Sequence, residues 1–307
     1  MNAPVIAMVG MVTIDYLYVL ESHPVEGSTN AAKAHRVVAG GPAGRSAIAA
    51  GRLGGDVRVL GMCGNDLHAD VLRGEFAREP LSLTLFVEDQ PSQHSCVMVA
   101  GDSGSRTIIW TPQPRADQRL LDALDDTLRG AAAALLDCTD PVLSRATIDS
   151  CRKFEIPVII DTGSYRESSE EFLDGVDYII APEKFFSARH PEESLEGGMR
   201  KVYSDFRPTV LAATRGELGG IYLEASDTYS YDPHPVPVVD SCGAGDTFHG
   251  AFTWAIASGA STDNAFRIAS WAAARKCSAL GNDGLPDAAT LSAAREMQTP
   301  NPGSRSR

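Results

Sequence analysis

The sequence predicts an α/β fold of three layers, a central mainly parallel sheet flanked by helices, with a small β-lid beside it. Three observations predict it. Short apolar runs of strand length recur along the chain. Stretches with apolar residues at helical spacing separate most of them. Two further regions are strand-like but half-polar, and they stand outside the alternation.

The strands come first. Val5–Val9, Val57–Leu60, Ala133–Leu136, Val158–Ile160, Tyr178–Ile180 and Val210–Ala213 are apolar throughout, as strands covered on both faces must be. Ala43–Leu53, Leu67–Phe76, Pro141–Phe154 and Ser168–Leu173 carry the helical spacing. Strands alternating with helices imply parallel pairing, and ligands of such sheets bind beyond the carboxyl ends of the strands. The lid comes from Asp15–Leu20, Ala32–Val38, and a hairpin of Ser95–Ala100 and Arg106–Trp110 around Gly101-Asp102-Ser103-Gly104. Residues 298–307 are rich in Pro, Gly, Ser and Arg and are expected to be a disordered tail.

Composition narrows the function. The chain has 307 residues, is 43% hydrophobic and can bury a substantial core. A net charge of −13 argues against nucleic-acid partners and against an anionic membrane surface. No run of 18 apolar residues offers a membrane helix. The N-terminal MNAPVIAMVGM lacks a basic n-region and reads as a first strand, not a signal peptide. Six scattered cysteines without CxxC are expected to be reduced thiols in the cytoplasm. Seven histidines without HExxH give no zinc signature.

The most informative stretch is VVDSCGAGDTFHGAFTWAIASG, residues 238–259. Gly243, Ala244 and Gly245 precede Asp246, and Phe248, Ala251, Phe252, Ala255 and Ile256 then recur on one helical face. The first amides of a helix lack internal partners and point outward, where they attract an anion. Small residues let a phosphate approach the backbone. Asp246, beside that nest, could take the proton of an attacking hydroxyl. A plain glycine turn capped by Asp246 fits those four residues equally well. A dinucleotide fingerprint is absent after the first strand, and no GK[ST] tripeptide offers a P-loop.

The longer context decides between these. VDSCGAGDTFHGAF resembles the C-terminal signature of the ribokinase-like (PfkB) carbohydrate kinases. GGPAGRSAIAAGRLGG (40–55) is similar to their N-terminal signature, GMCGNDLHADVL (61–72) to the G-x-x-G-x-D element, and ATRGELGG (213–220) to the nucleotide loop. Asp15 falls where that family places an aspartate on the sugar. The elements come in the family's order, so the resemblance implies one ribokinase-like kinase domain over residues 1–297. Gly104-Ser105-Arg106-Thr107-Ile108 and the Arg275-Lys276-Cys277 stretch resemble the ketohexokinase branch. HSCVMVAGDSGSRTIIWTPQP is also similar to the sulfofructose kinase branch, but the sulfonate contacts of that branch find no match, and sulfofructose is not assigned.

The resemblance implies roles. Asp246 would be the base, and Gly243, Ala244 and Gly245 would hold the phosphoryl group. Arg106, on the lid, would reach the phosphates. Asp15, Gly40 and Gly41 would line the sugar pocket. Thr214, Gly216 and Gly219 would pack on the nucleotide, with Cys277 and Gly281 near the adenine. Asp240 would help hold an alkali-metal ion, K+. The family's Asn-x-x-Glu reads Glu183-Lys184-Phe185-Phe186 here, which leaves Mg2+ to Asp161 and Glu183. Arg45 stands where the signature usually has Asn. An arginine suits carboxylates and phosphates, so an acidic sugar derivative is expected beside a ketose; an arginine turned to a neighbouring acidic residue fits as well. The implied activity is ATP-dependent phosphorylation of a sugar hydroxyl by a homodimer joined through its lids. A nucleoside kinase and a catalytically silent nucleotide- or sugar-binding regulator stay open as alternatives.

Overall fold

The computed structural model describes residues 3–101 and 105–297. Among the described residues, nine strands form one sheet and four form another. In chain order the strands are β1 (Val5–Val9), β2 (Thr13–Leu20), β3 (Ala34–Gly40), β4 (Asp56–Gly64), β5 (Leu81–Glu88), β6 (His94–Ala100), β7 (Arg106–Trp110), β8 (Ala133–Leu136), β9 (Val158–Asp161), β10 (Tyr178–Pro182), β11 (Val210–Thr214), β12 (Gly220–Glu224) and β13 (Asp227–Tyr231). The large sheet runs β13-β12-β11-β10-β9-β8-β1-β4-β5, and the small one β3-β2-β6-β7.

From β11 to β5 every pair in the large sheet is parallel. Each interior strand sends alternate side chains to opposite faces, and both faces are dry. Ile6 and Met8 join one core with Phe248, Phe252 and Phe266, while Ala7 and Val9 join the other with Leu143, Phe185 and Val202. This is the expected three-layer arrangement. The strand order reverses about β1, between β8 and β4, so the carboxyl ends there open a crevice fit for a ligand.

Three elements differ from the expectation. β5 was not anticipated because it is an edge strand whose half-buried leucines alternate with exposed polar residues over its first four positions. The β12–β13 hairpin closes the other edge in antiparallel register, and most of β13 is exposed. The stretch expected to be helical at Ser168–Leu173 is a short 3₁₀ segment, Glu167–Phe172. The expected tail 298–307 and the hairpin-turn residues 102–104 lie outside the described residues. No helix among the described residues is long and apolar enough to cross a membrane.

Small residues bring two helices into close contact. The helix Pro42–Arg52 is buried from Ala43 to Gly51, and it packs on the helix Ala244–Ala257. A Cβ added at Gly250 would sit 2.2 Å from the Ser46 carbonyl oxygen, so only glycine allows this approach. The Ser46 hydroxyl donates to the Asp246 carbonyl at 2.8 Å. The alanine- and glycine-rich patterns of both segments therefore set the distance between the chain's two signature regions.

The small sheet covers this junction. Leu17, Val38, Val97 and Val99 of its inner face pack with Cys242 and Leu280. Asp15 pairs in register with Val38 and Ser95, so it shares that inner face.

Candidate active site

The site begins at the helix Ala244–Ala257. Its N-cap is Gly243, whose φ of +80° is left-handed, and a Cβ there would lie 2.3 Å from Arg45 Cδ. Both constraints select glycine. The Gly245 and Asp246 amides lie in the first turn and have no acceptor within the helix. Ala244 N–H turns to Ser241 O at 3.3 Å, a long contact that a better acceptor could replace.

A cavity of about 630 Å³ ends at this turn. Ser241, Ala244 and Gly245 line it together with Thr214, Gly216, Gly219 and Cys277. The expected nucleotide loop and the expected phosphoryl nest thus share one space. Its surface is mostly apolar, with Phe248, Val238 and Leu218 among the lining. Gly281 is not part of that lining. Its amide donates to Asp240 Oδ2 at 2.9 Å, and a Cβ there would approach Val38.

Arg45 lies at the acceptor end, under the small sheet. Its side chain is 4% exposed, and each nitrogen has a partner. Nη2 donates to Asp15 Oδ2 at 2.6 Å, Nη1 to Asp246 Oδ2 at 2.9 Å, and Nε to Asn282 Oδ1 at 3.3 Å. Burial works against the cation, but the carboxylates of Asp15 and Asp246 outweigh it and hold Arg45 above the usual arginine range. One positive charge between two carboxylates leaves the cluster at −1. Of the two readings the sequence left open for Arg45, the structure shows the arginine turned to neighbouring acidic residues.

The backbone around Asp15 is close-fitting. A Cβ at Gly40 would lie 2.3 Å from Asp15 Oδ2, and one at Gly41, whose φ is +84°, would lie 2.5 Å from Met11 O. Met11 is held in turn by Asp137, a buried carboxylate at the end of β8. It accepts from Met11 N–H at 2.6 Å and from the Thr139 amide and hydroxyl at 3.1 and 2.6 Å. Burial pushes its pKa up to about 6 against those hydrogen bonds. Arg106 reaches down from β7 and donates to Ser241 Oγ at 2.6 Å, which joins the small sheet to the nest loop.

The expected metal ligands fare differently. Asp161 is buried; Oδ1 accepts from Gly163 N–H at 2.9 Å, and Oδ2 lies 3.3 Å from His249 Nδ1. Burial raises its pKa, with His249 opposing and Asp246 adding to the rise. Each oxygen has one protein group beside it, and the same His249 Nδ1 lies 2.8 Å from Gly245 O. Glu183 is half-exposed just past the carboxyl end of β10, 3.5 Å from Arg215 Nε, and the residue before it, Pro182, pairs across the sheet with the cavity residue Thr214. A half-exposed carboxylate there fits a water-mediated Mg2+ contact. Phe185 and Phe186 point into the core at 0% and 1% exposure, so the departure from Asn-x-x-Glu removes a carboxylate without placing a ring in the site.

Asp240 is also already engaged. Oδ1 accepts from Cys242 N–H at 2.8 Å, and Oδ2 from Gly281 N–H and from Lys276 Nζ at 2.8 Å. Lys276 also donates to Asp240 O at 2.9 Å. Burial draws Lys276 below the usual lysine range while Asp240 acts against it. An alkali-metal ion at Asp240 would meet an ammonium and two N–H donors, so the residues do not fit that ion.

Sequence reasoning missed Asp137, Asn282, Ser241 and the pairing of Lys276. Ser241 stood inside the quoted stretch 238–259 and Asn282 beside Gly281, and the signal was a polar residue next to a glycine turn. The Lys276–Asp240 pair spans 36 positions and had no local signal.

The pfkB family carbohydrate kinase model matches residues 4–287. The chain is 26% identical to a ribokinase of Bacillus subtilis over 92% of its own length and 96% of that protein's. It is 23% identical to mouse ketohexokinase over 91% and 98%. Among solved structures, ribokinase from Thermotoga maritima superposes with a TM-score of 0.82 at 23% identity, covering 95% of this chain and 99% of that one.

Proposed function

Because the chain belongs to the pfkB family of carbohydrate kinases, we propose that it transfers the γ-phosphoryl group of ATP to a hydroxyl of an uncharged sugar, of the ketose or ribose kind. One observation carries this reading. The cavity ends on the Ala244–Gly245 amides beside Asp246, and Arg45 holds Asp246 and Asp15 together in a cluster of net charge −1. A sugar's hydroxyls can donate to such a cluster. A carboxylate or phosphate on the sugar would be repelled by it, which weighs against the acidic alternative.

Each residue then has a task. The loop 214–219 and the apolar walls hold the nucleoside end. The Gly245 and Asp246 amides receive the γ-phosphate, as preorganised donors do in other phosphoryl transfers. Arg106 leaves Ser241 for the phosphate oxygens. Asp15 orients the sugar. Among the described residues no side chain donates to Asp246 Oδ1, so that oxygen takes the hydroxyl proton as the new O–P bond forms and the bond to the departing ADP oxygen breaks. Glu183 would hold Mg2+ through water; the ion, when bound, offsets phosphate charge. The small sheet excludes water.

We also read the outer face of the small sheet as a homodimer contact. Ile109 is 60% exposed there, and Tyr16, Tyr18 and Met98 flank it, half-buried. Light scattering that gives a monomer at micromolar concentration would remove this part.

The test of the activity is ADP release with ATP and Mg2+ against neutral ketoses and aldoses, sugar acids, sugar phosphates and nucleosides. A neutral sugar is expected to lead the acids and phosphates by at least about tenfold in kcat/KM. An acid, a sugar phosphate or a nucleoside in first place overturns the assignment.

A further inference from the structure

Lys276 is 0% exposed and its partner Asp240 1% exposed. A buried ion pair is a weak source of stability, because desolvation offsets much of the attraction. Its location suggests another use. Asp240 opens the loop that ends in Gly243, two residues before the cavity-lining Gly245. Lys276 lies in the last turn of the helix Thr262–Cys277. The following residue's carbonyl, Cys277 O, accepts from Val239 and Asp240 N–H at 2.8 and 3.2 Å. The ammonium grips the carboxylate and the carbonyl of Asp240 at once, while the same carboxylate grips Cys242 and Gly281. Most of these connections from the helix end to the nest loop therefore meet at Asp240, and the charge that balances it belongs to the chain.

We propose that the Lys276 ammonium is the built-in monovalent cation of this loop, a positioning residue that holds the phosphoryl nest in shape, and that the protein works without an alkali-metal ion. An alkali-metal ion needs several oxygen ligands with free lone pairs. Asp240 offers three oxygens, and Lys276, Cys242 and Gly281 already donate to all of them. A second cation at this site would also stand within a few ångströms of the ammonium, where like charges repel strongly in a buried setting. The inference rests on reading the 243–246 turn as the phosphoryl site, so its test includes a binding arm that does not depend on turnover.

The experiment uses the intact chain in tetramethylammonium buffer free of K+ and Na+, with KCl or tetramethylammonium chloride added at equal ionic strength. The kcat of the wild type and its Kd for ATP with Mg2+, measured by calorimetry, are expected to change less than about twofold. Lys276→Met, checked for native fold by circular dichroism, is expected to lose kcat by at least about twentyfold, with a smaller rise in the KM for ATP. Lys276→Ala is expected to regain several-fold of that loss with ammonium or methylammonium chloride, to which the wild type does not respond. A wild type activated about tenfold or more by K+, in kcat or in ATP affinity, overturns the proposal. So does a folded Lys276→Met with unchanged kcat, or a Lys276→Ala that ammonium and methylammonium leave unimproved. If the variants do not fold, the wild-type cation series still decides. If no sugar is phosphorylated at all, the activity reading fails while the ATP-binding arm still reports on Lys276.

Discussion

Two buried cations flank the Gly243 turn, and they are balanced differently. Arg45 holds two carboxylates, and one of them, Asp246, is 19% exposed in its side chain. Lys276 holds one carboxylate that is sealed, with each of its oxygens accepting from the chain. The first cluster is short of positive charge and has an oxygen to spare. The second is neutral and saturated. Reactivity belongs where hydrogen bonding is incomplete, and rigidity where it is complete. The nest between them therefore has a chemical side and a structural side, a few residues apart in one loop.

The sharpest way to break this contrast is to remove the spare oxygen's basicity. Asp246→Asn keeps the shape and a bond to Arg45 but cannot take a proton. The expected loss in kcat is about 10³-fold or more, with little change in ATP affinity. Steady-state kinetics with the best sugar measures it, and a variant that turns over at the wild-type rate would place the chemistry elsewhere.

Next is the cation on the chemical side. Arg45→Met leaves Asp15 and Asp246 facing each other without the charge between them, which is costly in a buried site. A fall of about 10²-fold in kcat/KM for the sugar is expected, with ATP binding spared. Equal losses in both would mean that Arg45 supports the whole nest, and the two clusters would then not be distinct. Gly243→Ala should fall below both. It forces a left-handed residue and a clash with Arg45 Cδ, and a loss of about tenfold in kcat with about 1 kcal/mol of stability is expected from rate and urea measurements.

The same contrast explains what could be read from the chain. The parallel core was legible because strands buried on both faces are apolar end to end. The edge strands β5 and β13 were not, because exposed positions at an edge break the apolar run, and β12 enters with β13 as an antiparallel hairpin outside the alternation. In the site, glycines and aspartates beside turns could be placed, and the cavity brings Thr214, Gly216, Gly219, Ala244 and Gly245 together. Charge partners could not be placed. For Arg45 an anion seat and an acidic neighbour stayed open together, because nothing local says that Asp15 and Asp246, both singled out, meet at its guanidinium. Asp240 was given a metal by the family resemblance, and its partner Lys276, 36 residues on, carried no sign of being buried. Asp161 and Gly281 stand near the site but turn their polar groups to the protein.

Asp137 supplies a third case, a buried carboxylate with three hydrogen-bond donors and, among the described residues, no cation paired with it. Here burial and hydrogen bonding compete directly. Burial dominates and pushes the pKa up to about 6, above the ordinary value of about 3.9 in an unfolded chain. The folded state therefore binds the proton more tightly. Its contribution to stability is fully present below about pH 4 and is lost as pH rises through about 6. Asp137→Asn cannot titrate. Urea unfolding of both proteins at pH 5 and pH 8 is expected to show the wild type gaining about 1 kcal/mol relative to the variant at the lower pH. The opposite sign would mean that the Met11 and Thr139 donors outweigh burial. A carboxylate could then sit in this core without a cation, and the need for Arg45 and Lys276 would have to be sought in the nest's function alone.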